Sequence, residues 1–414
     1  MSDNIWLLLG LLLLAYLGSN LVGGRAIRGF GLPSNAEYLV LGFAIGPHAL
    51  NLVGRSLAHT FEPVVLVATG WLALVVAVGY TRVADRWIKP TRALAGVVLG
   101  TLTCLGVAAA VYFASPILGG FSGFSRLAVA LGMGACAGAT TRHSVRWVVE
   151  RHGARGPLSD FAADAARASS AIAPLALCAL FALAPGGALP QMPELGRMGV
   201  TLGFGAALGL IAMLLLGRDF RRDESWGVLL GTGLLVAGAA DRAGLSLLGA
   251  MFAMGLVLAA SRHRLEIKAM LTPTEKPVLL PVALLAGAYV NLNLPNGVLL
   301  LVGLAVVAKV LVRMLLGAFL GAGPARGTGV DFGLSMLASG GFSIAAALAI
   351  STRVPGVASD AVLLFSVAST ILGELLGPAA LRRSLERAGE LHLVTEAELG
   401  RPSDAPPSFR ESHS

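Results

Sequence analysis

Along most of this chain apolar residues do not alternate with polar ones at the helical or the strand period; they run on in uninterrupted blocks. Thirteen such blocks follow one another, at 5–23, 36–53, 63–80, 94–114, 127–141, 158–184, 198–216, 226–240, 245–260, 276–292, 298–322, 331–350 and 361–380. A helix on a soluble protein keeps a polar face, so blocks of this length that are apolar all round predict helices surrounded by lipid or by one another. The fold class this predicts is an all-α polytopic membrane protein of about thirteen transmembrane helices, filling 1–383. Residues 384–414, ending GRPSDAPPSFRESHS, form a polar tail too short for a further domain, and the expectation is a disordered one.

Composition sharpens this picture. Hydrophobic residues make up 56% of the 414 positions and charged ones only 13%, which excludes an ordinary soluble domain, and 53 glycines suit helices that pack backbone to backbone. The net charge of +8 is distributed by topology. Loops after odd-numbered spans hold clusters such as Arg82, Arg86, Lys89, Arg92 and Arg142, Arg146, Arg151, Arg155. Those after even-numbered spans hold single arginines, Arg55, Arg126, Arg197, Arg242 and Arg353, or none. Because positive residues stay on the cytoplasmic side, the asymmetry predicts an external N-terminus and a cytoplasmic C-terminus in an inner (plasma) membrane. The first residues, MSDN, lack the cationic segment of a signal peptide, so the first block reads as a true span.

Function classes narrow next. Basic residues dispersed over loops are no nucleic-acid footprint, and no GxxxxGK[ST] pattern supplies ATP-driven pumping. Cys104, Cys136 and Cys178 lie inside spans with no metal or disulfide spacing. Neither an enzyme nor a cofactor is expected; a many-helix chain without a soluble module suits a carrier of small solutes. The fifth span reads GMGACAGATTRHSVRW and the twelfth GLSMLASGGFSIAAALAIS, with Gly, Ala, Ser and Thr where a spanning helix is normally Leu-rich. Such paired interruptions point to broken helices around a midplane site, although small residues serve plain helix packing equally well.

Charges inside spans are expensive and so are functional candidates. Lys309 lies about half-way along its span, and lysine, unlike arginine, can release its proton when desolvated. Arg313, one turn on, is expected to snorkel toward the cytoplasm. The sixth span opens SDFAADAARASSAIAP, with Asp160, Asp164 and Arg167 within two turns; Arg167 at i+3 from Asp164 holds that carboxylate ionised or stands in for a bound cation. Read without function, the same charges are a neutralised interfacial pair. His143 titrates near neutrality if it faces a pathway, or is an interfacial histidine.

The stretch GFGLPSNAEYLVLGFAIGPHALNLV, with Gly31-Leu32-Pro33, Gly42 and Gly46-Pro47, resembles the second-helix signature of the monovalent cation:proton antiporter superfamily, in its bacterial sodium/proton exchanger and potassium-efflux branch. VVAKVLVRMLLGAFLGAG, LASGGFSIAAALAIS and ILGELLGPAALRR resemble that family's last three helices, so the likeness runs from about residue 10 to 385. The resemblance implies inverted repeats with broken, crossing fifth and twelfth spans. It also implies a homodimer scaffold from about 1–80 and 226–292 and a moving core from about 94–184 and 298–383. The partners implied are a proton, Na⁺ or K⁺, and membrane lipid.

Carried over by motif, Thr140 and Thr141 match the family's hydroxyl ligands at the fifth-span break. The family's acidic pair matches Ala163-Asp164, which makes Asp164 the Na⁺/K⁺ and proton carboxylate. Anchored on Pro174 instead, the pair falls on Ser169 and Ser170, with no carboxylate. Glu374, in the thirteenth span, is the repeat counterpart of the sixth-span acid and a candidate partner for Lys309. The chain departs from the family at Arg142-His143, where a proline is common, at Gly79-Tyr80-Thr81, at Asn291 and at Ser339-Gly340-Gly341. Three readings follow: a cation/proton antiporter working by alternating access, a non-exchanging ion-binding or sensory protein on the same fold, and a carrier of an organic anion using Arg142, Arg167 and Lys309.

Overall fold

The computed structural model describes residues 36–47, 56–80, 90–184, 192–216, 222–321, 328–354 and 356–391. The first predicted span and Gly31-Leu32-Pro33 lie outside the described residues. In chain order the helices are α1 (Ala36–Ile45), α2 (Ser56–Val78), α3 (Pro90–Leu118), α4 (Gly123–Gly138), α5 (Arg142–Arg151), α6 (Pro157–Ser169), α7 (Ile172–Leu183) and α8 (Glu194–Leu216). They continue with α9 (Arg222–Arg242), α10 (Leu247–Ala259), α11 (Arg264–Leu271), α12 (Glu275–Tyr289), α13 (Asn296–Gly321), α14 (Val330–Ser335), α15 (Gly340–Arg353) and α16 (Val357–Arg387). The described residues contain no strand.

This is a multi-pass membrane protein. Among the described residues five helical stretches are long and apolar enough to cross a bilayer, Pro90–Leu118, Pro157–Leu183, Glu194–Leu216, Asn296–Gly321 and Val357–Arg387. Their outward faces carry Phe113, Ile117, Leu214, Leu315 and Phe319, all exposed, an apolar surface that a lipid solvent accepts and water does not. With no apolar driving force between helices in lipid, packing rests on close backbone approach. At the α1–α12 crossing a side chain on Gly42 would fall on the Leu284 carbonyl and one on Gly287 on the Leu39 carbonyl.

The helices pack in two groups. One holds α1, α2, α8, α9, α10 and α12, and the other holds α3, α4, α5, α6, α13, α14 and α16. Two helices are interrupted, one inside the second group and one, through α15, reaching across to α2 and α12. After α4 the chain leaves helical geometry at 139–141 before α5, and after α14 it does so at 336–339 before α15. The first interrupted helix is long then short, the second short then long, as an inverted repeat requires. The predicted sixth span is itself divided, into α6 and α7, by a turn at Ser170 and Ala171.

The end of the bundle that carries Arg92, Arg151 and Arg387 is its arginine-rich end. There Arg92 pairs with Asp160, Arg387 with Asp331, and the Glu390 carboxylate accepts from the N–H groups of Leu158 (2.6 Å) and Ser159 (2.8 Å) at the start of α6.

Candidate functional site: the helix crossing and the cavity below it

The two breaks meet. The Thr141 N–H donates to the Ala338 carbonyl at 2.8 Å, and the Thr140 hydroxyl to the Met336 carbonyl at 3.1 Å. Above them the Ser343 hydroxyl donates to the Cys136 carbonyl at 3.1 Å. Gly, Ala, Ser and Thr dominate both stretches because only small side chains let two unwound backbones come this close. The crossing gathers two helix C-termini, of α4 and α14, and two N-termini, of α5 and α15; each carries the partial charge of its unsatisfied backbone groups.

Lys309 and Arg313, one turn apart on α13, are directed into this point and are 1% and 0% exposed. The Lys309 ammonium donates to the Ser339 hydroxyl and to the Ser369 hydroxyl at 2.6 Å. Arg313 Nη2 donates to the Ala137 (3.1 Å) and Gly138 (3.0 Å) carbonyls, so its charge sits on the negative end of α4. Arg313 therefore does not snorkel. Its Nε and Nη1, with the hydroxyls of Ser366 and Thr370, are buried without a hydrogen-bond partner among the described residues. Glu374, 2% exposed, lies one turn beyond Thr370 on α16, toward the arginine-rich end.

Between the crossing and that end lies a cavity of about 70 Å³, lined by Thr140, Thr141, Arg142, His143, Arg167, Ser170, Glu275, Lys276, Ser339 and Gly340, with Leu72, Leu279 and Phe342 as apolar walls. It straddles the two helix groups. Glu275, the first residue of α12, accepts from Arg142 Nη2 at 2.9 Å and pairs with His143 Nε2 at 2.8 Å, both on α5. Tyr80, just past α2, donates its hydroxyl to the Arg167 carbonyl at 2.7 Å and lies 3.1 Å from the Ser170 hydroxyl. The surroundings are electropositive: on α11, outside the spans, the Lys268 ammonium is pushed below its usual range by burial and then by Arg167, Arg142 and Arg146.

Of the residues singled out in the sequence, Thr140, Thr141, His143, Arg167 and Ser170 line one cavity. Ser169 is buried at the level of the break: a side chain on Gly100 would stand 3.1 Å from both the Gly138 carbonyl and Ser169 Cβ. Asp164 stands apart from Lys309. It is 20% exposed, 3.5 Å from Arg92, and shares that arginine with Asp160. Sequence reasoning missed Glu275 and Ser369. The spacing of Ser366, Ser369 and Thr370 on one apolar helix was the available signal for Ser369, since residues three and four apart share a face; Glu275, beside ordinary loop charges, offered none.

This arrangement, two interrupted helices crossing inside an inverted repeat with charged side chains at the break, is the sodium/proton antiporter fold. The solved structure of the sodium proton antiporter MjNhaP1 from Methanocaldococcus jannaschii at pH 8 matches it with a TM-score of 0.66 and 16% identity, over 93% of this chain and 98% of that one. An electron-microscopy structure of the same antiporter matches at 0.67 and 19%, over 94% and 99%. No family model matches the chain, and no curated protein matches it in sequence.

Proposed function

We propose that the protein is a secondary transporter that exchanges a monovalent cation, Na⁺ or K⁺, for a proton by alternating access. The observation that carries this reading is the buried Lys309 ammonium held by two serine hydroxyls, with no ion pair among the described residues. An unbalanced ammonium is costly inside a membrane, and lysine relieves the cost by releasing its proton. The hydroxyls of Ser339, Ser369 and Thr140, with the carbonyls freed at the breaks, are then hard oxygen donors for an alkali cation. One proton leaves as one cation enters, so the charge of the site is the same in both states and the exchange is electroneutral.

In this reading the arginine-rich end faces the cytoplasm, and Asp164 with Asp160 recruits cations at the mouth. The group containing α3–α6, α13, α14 and α16 moves against a scaffold of α1, α2, α9, α10 and α12. Two copies associate through that scaffold as a homodimer, where α9 presents exposed Leu230, Leu234 and Leu235. The fold of the antiporter neighbour supports the transport class; the hydroxyl-held lysine supports the proton-coupled form. Proteoliposomes with an imposed pH gradient test it: Na⁺ or K⁺ dissipates the gradient in the wild type, and Lys309→Gln abolishes the dissipation. Undiminished exchange in that variant would remove Lys309 from the cycle, and a wild type inert to both cations would make the chain a non-exchanging protein on this fold.

A further inference from the structure

The cavity below the crossing holds more positive charge than its own side chains balance. Three cationic residues, Arg142, Arg167 and Lys276, and His143 face one carboxylate, Glu275. Glu275 is fully engaged: one oxygen takes Arg142 and the other His143. Asp164, a turn before Arg167 on the same helix, is in contact with Arg92 and attracts Arg167 only through space. Among the described residues the Arg167 guanidinium makes no hydrogen bond and no ion pair, and its Nε is shut off from solvent. A shielded donor without an acceptor is destabilising, and arginine cannot escape that cost by losing a proton.

A second feature of the cavity also seeks negative charge. Helix α15 begins at Gly340 on the cavity wall, and its N-cap Ser339 makes no side-chain capping bond because its hydroxyl takes Lys309. Gly340 and Gly341 of that first turn line the cavity, so the positive end of the helix dipole borders it. The remaining wall, Leu72, Leu279 and Phe342, is apolar.

We propose that this cavity binds a small organic carboxylate, with its head group on the Arg167 guanidinium and the first turn of α15 and its short apolar tail against Leu72, Leu279 and Phe342. A planar guanidinium meets a carboxylate through two parallel hydrogen bonds, a geometry that a spherical anion does not use. Inorganic anions of similar charge gain nothing from the apolar wall. Binding at this site is measured without any transport, so its test stands whichever ion is exchanged at Lys309.

Isothermal titration of the detergent-purified full chain with sodium butyrate, at constant Na⁺ and pH, tests it against sodium chloride and sodium gluconate. Saturable butyrate binding is expected, with chloride and gluconate at least about tenfold weaker. Arg167→Gln weakens butyrate by about tenfold or more. Arg167→Lys keeps the charge, gives up the fork, and serves if the glutamine variant does not elute as a single species; it weakens butyrate about fivefold and chloride hardly at all. Absence of saturable butyrate binding overturns the proposal, as does butyrate affinity unaltered by Arg167→Lys. Chloride binding as tight as butyrate would make the cavity an inorganic-anion site and overturn the carboxylate assignment.

Discussion

Replacing Glu275 with glutamine removes the one carboxylate that joins α12 to α5 and so tests whether that junction holds the two helix groups in the present arrangement. Glu275 takes Arg142 at 2.9 Å and His143 at 2.8 Å, and the side chains are 14%, 24% and 37% exposed. Each charge-assisted hydrogen bond contributes about 1.5–3 kcal/mol when shielded, and partial exposure reduces that, so we take about 2–3 kcal/mol for the pair of them. If the junction breaks when the core moves, its loss raises the population of the alternative arrangement by about 30- to 150-fold. Cys136 reports this directly: it is 1% exposed, on the side of the crossing away from the arginine-rich end. With Cys104 and Cys178 replaced by alanine, its labelling rate by a membrane-impermeant maleimide added on the side away from the arginine-rich end tracks the population of the alternative arrangement. Glu275→Gln is expected to raise that rate by the same factor. A rate within twofold of the parent, in a protein whose Cys136 does label, would show that the junction is not what holds the present arrangement.

Asp164→Asn is expected to raise the cation concentration needed for half-maximal exchange and leave the maximal rate within about twofold, because a carboxylate at the mouth acts through local concentration rather than chemistry; abolished exchange in vesicles would return Asp164 to the centre of the cycle. Gly42→Ala is expected to lower the unfolding temperature in detergent, since the added methyl meets the backbone carbonyl of Leu284, which cannot turn aside, and overpacking of this kind costs about 1–3 kcal/mol. Glu390→Ala is expected to cost about 1–2 kcal/mol of thermal stability by uncapping α6, whose Leu158 and Ser159 N–H groups it receives, with little change in exchange rate.

The helices and the two breaks were legible because each rests on a local pattern: apolar blocks of spanning length, and Gly/Ser/Thr runs where leucine is the norm. Lys309 was legible for the same reason, as a charge half-way along an apolar block. Register within a helix was not. Asp164 and Ser169 are five residues apart, about 7.5 Å along a helix rising 1.5 Å per residue, and an apolar span marks no depth, so the match to Ala163-Asp164 and the match anchored on Pro174 stood side by side. The structure has Ser169 at the level of the break and Asp164 toward the arginine-rich end. Partnerships across the fold were equally hidden. Arg313 looks like a snorkelling residue beside its own span neighbours, and its actual acceptors, the carbonyls of Ala137 and Gly138, lie 176 and 175 residues away.

What this chain does with its buried charge connects the two proposals. Helix ends that meet inside a membrane have to be neutralised, and the C-terminal carbonyls of α4 receive Arg313 while Lys309 is left with hydroxyls. The excess is positive at the crossing and positive again in the cavity below. The two places differ in how the excess can be relieved. Lysine can discharge by giving up its proton, which makes Lys309 suited to a site where a cation and a proton replace each other. Arginine cannot, so at Arg167 the relief has to come from a counter-charge supplied from outside. The lysine site therefore predicts a dependence on the pH gradient and the arginine site a dependence on the anion present. An exchange rate that responds to butyrate in the wild type and no longer in Arg167→Lys would show that an anion in the cavity lowers the positive barrier a cation crosses on its way to Lys309.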